Sequence, residues 1–335
     1  MLFRSSLGEA IHKGRLEDVQ RIDFTRHIEG GPLDHGFEHF FGTACCPTTD
    51  WLYAFIDGDR IPVPPQGPLD RSKLPKHPYA NDCRAGFIAP DFPMEEVDLL
   101  FLRKSREFME EHMRTTPDKP FFLYHATQAV HLPSFAAPEF QHKTQAGPHG
   151  DFIGELDHII GELMKELDKL GIADKTIVLL SSDNGPETTS IAHMRADHDH
   201  DGARPWRGMK RDAWEGGHRV PLIVRWPGHV KGGSTSDQLA SLTDVMATLA
   251  AVTGALTALA DRACALGLEA LVRDEVARGK LPGVTDKDIP EAAGMFVLAM
   301  GKMGAGELNY SSDIDLIVLF DESRHDPDAY ADLRK

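Results

Sequence analysis

Apolar residues recur at helical spacing between Met94 and Met113, at Val97, Leu100, Phe101, Phe108 and Met109, and Pro117 and Pro120 follow them. That period predicts a helix ended by the prolines. The short apolar run PFFLYHA after it reads as a buried strand. A second helical stripe, Ile153, Leu156, Ile160, Leu163, Leu167 and Leu170, runs through FIGELDHIIGELMKELDKL and ends at Gly171, a favourable C-terminal cap. TIVLLSS then reads as a buried parallel strand. Strand, helix and strand in that order predict a βαβ unit, whose ligands bind beyond the carboxyl ends of the strands. Asp183, Asn184 and Gly185 fall at such an end.

Outside this unit the pattern changes. Residues 24–92 are rich in Gly, Pro and aromatics and predict loops and short strands without a helical period. After an apolar run at Val220–Arg225, a helix is predicted to start near Ser241 and to continue to about Gly279. That is unusually long for a globular helix, and Gly254 in its middle marks the expected domain junction. The expected domains are therefore 1–254 and 255–335.

A chain of 335 residues is long enough for an α/β enzyme domain and a small second one. Its apolar runs are all well short of the roughly 20 residues that cross a bilayer, so no membrane partner is expected. A net charge of −16 argues against a duplex nucleic-acid partner, since the phosphate backbone would be repelled. The four cysteines, Cys45, Cys46, Cys83 and Cys264, show no CxxC spacing. The N-terminal stretch lacks the apolar core of a signal peptide, so the chain as written is expected in the cytoplasm, with a periplasmic or secreted location open to a longer parent.

The DNG turn supplies a carboxylate and a side-chain amide, the oxygen donors that hard divalent cations take. Alone it reads as a plain turn. Three further stretches join it: GGPLDHGFEHFFG at 30–42, HATQAVHLP at 125–133 and RGMKRDAWEGGHRVP at 207–221. Together, from about Arg15 to about Gly254, they resemble the sulfatase family of the arylsulfatase type. The resemblance implies an alkaline-phosphatase-like α/β sheet with flanking helices, hydrolysis of the sulfate esters of small molecules or glycans, a formylglycine nucleophile and a bound calcium. Asp183 and Asn184 match the calcium ligands, His131 the histidine that serves the leaving group, and Lys210 the lysine that holds the sulfate. A cation and a lysine neutralise charge on the sulfuryl oxygens, and a histidine can protonate the departing alcohol near neutral pH.

The sequence also departs from that family. Its nucleophile motif C-x-P-S/A-R, two metal-binding aspartates and a Lys-x-His pair are not found here. CCPTT places a proline two residues after Cys45, but Thr49 stands where the arginine should be. Turnover by this chain is therefore not expected. His198, Asp199, His200 and Asp201 in HDHDGARPW read as a polar loop over the pocket or as a transition-metal cluster.

A second constellation lies in MFVLAMGKMGAGELNYSSDIDLIVLF. Aspartates two apart on a strand face the same way, so Asp313 and Asp315 could hold two magnesium ions. Gly301 and Gly304 would let the backbone approach a triphosphate. From about Leu256 to Lys335 the chain resembles glutamine synthetase adenylyltransferase, a nucleotidyltransferase with an α+β domain. The match covers Gly301, Lys302, Gly304, Ser312, Asp313 and Asp315, and implies ATP, magnesium and glutamine synthetase as cofactors and partner. The family's third acidic residue and arginine-rich segment are not found, so little transfer is expected. The expected whole is a partial sulfatase joined to a truncated nucleotidyltransferase, and a fusion of two proteins is the simplest account.

Overall fold

The structure is a computed structural model that describes residues 22–253, 256–279, 281, 284–285, 287–289, 295–299 and 316–320. The chain divides into two compact units, Met1–Ser234 and Thr235–Lys335.

The first unit opens with the short pieces its Gly- and Pro-rich sequence predicts. Strands β1 (Phe41–Gly42), β2 (Leu52–Tyr53), β3 (Ile56–Asp57), β4 (Gly67–Pro68) and β5 (Phe87–Ile88) form two small sheets. β1 pairs antiparallel with β3, while β5 lies between parallel β2 and antiparallel β4. Tyr53, Ala54, Phe55 and Ile56 are buried with Phe92, Val97 and Phe101, and Phe55 stacks on Phe41 and Phe92 with centroids 5.1 and 4.6 Å apart. Helix α1 (Val97–Thr115) follows and buries Val97, Asp98, Phe101, Leu102, Ser105 and Met109, close to the predicted stripe.

The PFFLYHA run departs from expectation. Its residues alternate between half-buried Phe121, Leu123 and His125 and exposed Phe122 and Tyr124, the latter 74% exposed. The alternation is that of a strand. No ladder partner pairs with it among the described residues, so it is neither a paired strand nor fully buried.

Helix α2 (Gly147–Lys169) begins five residues before the predicted start, with Pro148 in its first turn, where a missing N–H is harmless. Gly171 follows it at φ +70°, as the glycine predicts. The inward face is rotated from the predicted stripe. His149, Phe152, Glu155, Ile159, Glu166 and Leu167 are buried, whereas Ile153 is exposed. Polar residues take these inward positions because each finds a partner. Glu155 accepts the Ala137 N–H at 2.8 Å, and Glu166 accepts Arg106 and Lys169 at 2.9 Å each. Met109 of α1 and Leu167 of α2 share a cluster with Ala173.

β6 (Val178–Ser181) also overturns the expectation. It is neither parallel nor buried, but pairs antiparallel with β7 (Leu222–Arg225) in a two-stranded ribbon, and Leu222, Ile223 and Val224 are exposed. An apolar run therefore marks the strand but not its neighbours. Helices α3 (Thr188–His198) and α4 (Glu215–His218) lie between the two strands in sequence.

In the second unit the single long helix is replaced by α5 (Thr243–Val252) and α6 (Leu256–Ala277). The Thr253 hydroxyl donates back to the Leu249 carbonyl at 2.8 Å at the end of α5, a local bond that closes the helix. Gly254 lies outside the described residues. Strands β8 (Met295–Ala299) and β9 (Leu316–Phe320) pair antiparallel, with Val297 opposite Val318. Val272 of α6 and Leu281 are buried with Met295 packed against them. Among the described residues no helix is long and apolar enough to cross a membrane.

Candidate sulfate site

Asp183 and Asn184 follow β6 after one intervening residue, Ser182, beyond the strand's carboxyl end. The turn they open is fastened to the loop that carries Lys210. The Gly185 N–H donates to Gly217 O at 2.9 Å, and the Lys210 N–H donates to Pro186 O at 2.9 Å. Arg211 closes the junction with both Glu187 oxygens, at 2.6 and 2.8 Å.

Only glycine fits this seam. A Cβ on Gly185 would stand 1.8 Å from Gly216 O, one on Gly216 2.1 Å from Gly208 O, and one on Gly217 2.1 Å from Asp212 O. Two backbones approach here more closely than any side chain permits. Burial pushes the Glu187 carboxyl up, yet the Arg211 hydrogen bonds and charge, the Thr188 N–H and the Lys210 charge hold it below the usual glutamate range.

His131 is tied through the following residue to the CCPTT segment. The Thr49 hydroxyl donates to Leu132 O at 3.0 Å, next to His131, and burial with the charge of Asp50 pushes the Cys46 thiol up against the opposing charge of Lys210. His131 is half-buried, and its Nδ1 lies 2.5 Å from Leu132 O. Burial, with the charge of Asp50, pushes the Cys45 thiol up to about 12. The nucleophilic form of cysteine is the thiolate, so Cys45 is an inert thiol at neutral pH.

The cation chemistry fits in kind but falls short in number. Asp183 and Asn184 offer hard oxygen donors, whereas calcium takes about six to eight. Among the described residues no three His, Cys, Asp or Glu side chains converge as a metal cluster. The HDHD stretch is spread along the chain: His198 ends α3, Asp199 is left-handed at φ +49°, and Asp201 pairs with Arg195 and Arg204 at 2.8 and 3.2 Å.

Sequence reasoning missed the groups that hold the site together. Asp98, inside the apolar stretch VDLLF, accepts the N–H groups of Gln128 and Ala129 on the His131 loop. A lone carboxylate on a buried stripe was the available signal. The fastening by Gly185, Gly216 and Gly217 needs two loops far apart in sequence and had none. The second candidate site, Gly301, Lys302, Gly304, Ser312, Asp313 and Asp315, lies outside the described residues. The described strands flank it, with β8 ending at Ala299 and β9 starting at Leu316.

The family model described as Sulfatase matches residues 14–255, and that described as Glutamate-ammonia ligase adenylyltransferase matches residues 237–335, so the two share 237–255. N-acetylgalactosamine-6-sulfatase of Homo sapiens is 33% identical over 239 residues, covering 69% of this chain and 41% of the relative. N-acetylgalactosamine-6-O-sulfatase of Bacteroides thetaiotaomicron is 39% identical over 161 residues, 47% of this chain and 30% of the relative. Arylsulfatase A of Homo sapiens is 39% identical over 138 residues, 41% of this chain and 26% of the relative. This chain thus spans 26 to 41% of the length of these relatives. A solved structure from work on the metabolism of multiple glycosaminoglycans by Bacteroides thetaiotaomicron superposes with a TM-score of 0.55 at 27% identity, over 69% of this chain and 53% of that one. That likeness supports an alkaline-phosphatase-like α/β fold for the first unit. With most of its length matched by one family model, and with the residues of that match meeting at the DNG turn and the Lys210 loop, the chain belongs to the sulfatase family.

Proposed function

We propose that the first unit is a sulfuric ester site. Lys210 holds the sulfuryl group, His131 protonates the departing alcohol, and Asp183 and Asn184 supply two of the oxygens around a calcium ion. Calcium, when bound, would neutralise charge on the sulfuryl oxygens, and no further step is assigned to it. The observation that carries the reading is the glycine seam, which fastens the Asp183–Asn184 turn to the Lys210 loop through Gly185 and Pro186. The relatives are named for a sulfated amino sugar, and the ligand class proposed here is a sulfated small molecule or glycan.

The formylglycine of the family needs a cysteine in C-x-P-S/A-R, and Cys45 in CCPTT does not provide it. The 335-residue chain alone therefore binds a sulfate ester without turning it over. Incubation with 4-nitrophenyl sulfate and calcium, with peptide mass spectrometry of every cysteine, tests this. Binding without release of nitrophenol and without formylglycine is expected. Sustained release, or an aldehyde at Cys45 or Cys46, would overturn it.

The match over 237–335 and the antiparallel β8–β9 pair favour a second reading for the C-terminal unit. In it Asp313 and Asp315 hold magnesium, while Gly301, Lys302, Gly304 and Ser312 hold ATP for transfer of AMP to glutamine synthetase. The 335-residue chain is expected to leave no label on glutamine synthetase when given labelled ATP; clear labelling would show a working transferase.

A further inference from the structure

Asp98 sits in the first turn of α1, where a carboxylate ordinarily serves its own helix's N–H groups. Here both oxygens turn elsewhere. Each accepts one backbone N–H of the His131 loop, from Gln128 and from Ala129, at 2.7 Å. Gln128 then holds His131 at both ends of its backbone: it accepts the His131 N–H at 2.7 Å, and its side-chain amide donates to His131 O at 3.2 Å. Asp98 is 2% exposed, and Gln128 and Ala129 are also buried. A carboxylate that deep is costly unless strong donors meet it, and removing it would leave two buried N–H groups unpaired.

The far side of the loop is pinned separately. Leu132 O accepts Thr49, Ser134 is hydrogen-bonded to His149 at 2.8 Å, and the Ala137 N–H donates to Glu155 at 2.8 Å. These bonds fix residues after His131, whereas the bonds of Asp98 fix the backbone before it. We propose that Asp98 is a positioning residue for His131, setting through Gln128 where the imidazole stands in the sulfate site. The proposal rests on the reading of His131 given above, and the test separates the two.

In the full chain, the carbon-bound imidazole protons of His131 are followed by NMR, assigned by their loss in His131→Ala, while inorganic sulfate is titrated with calcium present. The wild type is expected to give one sharp set of signals that moves with sulfate. In Asp98→Ala the set should split or broaden, and sulfate affinity should fall about fivefold, as for one lost hydrogen bond. The signals of His125 and His149 should stay in place, which a general loosening would not allow. Asp98→Asn keeps the shape with one acceptor oxygen, should lie between the two, and decides the matter if Asp98→Ala does not fold. His131 signals and sulfate affinity unchanged in a folded Asp98 variant would overturn the proposal. Wild-type signals that ignore sulfate yet shift in Asp98→Asn would keep the positioning role and refute the sulfate reading.

Discussion

The backbone N–H of Lys210 donates to the carbonyl of Pro186 at 2.9 Å, so the residue assigned to the sulfuryl group is tied to the turn assigned to the cation. The two stretches are more than twenty residues apart, and their meeting depends on glycines with no room for a Cβ. Gly185→Ala places a methyl 1.8 Å from Gly216 O and must part the loops. Loss of sulfate binding is expected, with a destabilisation of about 2 kcal/mol or more from overpacking and lost backbone hydrogen bonds. Thermal melts and sulfate titration of the variant check both effects.

Stability should depend on pH through Glu155. Burial pushes its carboxyl up to about 8, so the native state binds a proton that the unfolded chain releases near the ordinary glutamate value. Below that value its contribution is fully present, and it is lost as pH rises toward 8. Burial pushes His125 and His149 down to about 4, which gives the opposite sign: their contribution is present above about 6.5 and is lost as pH falls toward 4. Between pH 6.5 and 8 the Glu155 effect is left largely unopposed, at up to about 1.4 kcal/mol per pH unit. Glu155→Gln should flatten the fall in melting temperature across that window. An unchanged slope would show that Glu155 is not buried protonated.

The packing of α1 on α2 can be tested at Glu166, which is 1% exposed and accepts Arg106 and Lys169. Arg106→Ala leaves one of the two cations and should cost about 2 kcal/mol. The double variant with Lys169→Ala leaves a buried charge alone and should cost more than the sum of the singles, by about 1 kcal/mol or more. Urea titration of the four proteins measures the coupling, and strict additivity would contradict it.

The β6–β7 ribbon exposes Leu222, Ile223 and Val224, with Ile223 57% exposed. Contiguous apolar strand surface invites association. The chain is expected to self-associate in a concentration-dependent way, and Ile223→Lys to shift it toward monomer. Sedimentation at several concentrations would show this, and a monomeric wild type would contradict it.

These tests follow the line between what the sequence carried and what it did not. Local signals were legible. The spacing of Val97, Phe101 and Met109 marks α1, Gly171 marks the end of α2, and DNG marks the turn after β6, because each depends on residues within a turn or two. Pairing was not legible: TIVLLSS carries no mark of an antiparallel partner about forty residues on, and PFFLYHA alternates like a strand yet joins no ladder among the described residues. The inward face of α2 was misjudged because Glu155 and Glu166 are buried by partners on other elements, which apolar periodicity cannot see. His131 and Lys210 were found by resemblance to a family, whereas Asp98 is visible only once its two N–H partners have been placed.

The most direct measurement is calorimetric titration of inorganic sulfate, with calcium present, into the wild-type chain and Lys210→Ala. The account predicts saturable binding to the wild type, weakened about tenfold or more in the variant, as for the loss of one charge-assisted hydrogen bond. Equal affinities, or no binding to the wild type, would contradict it.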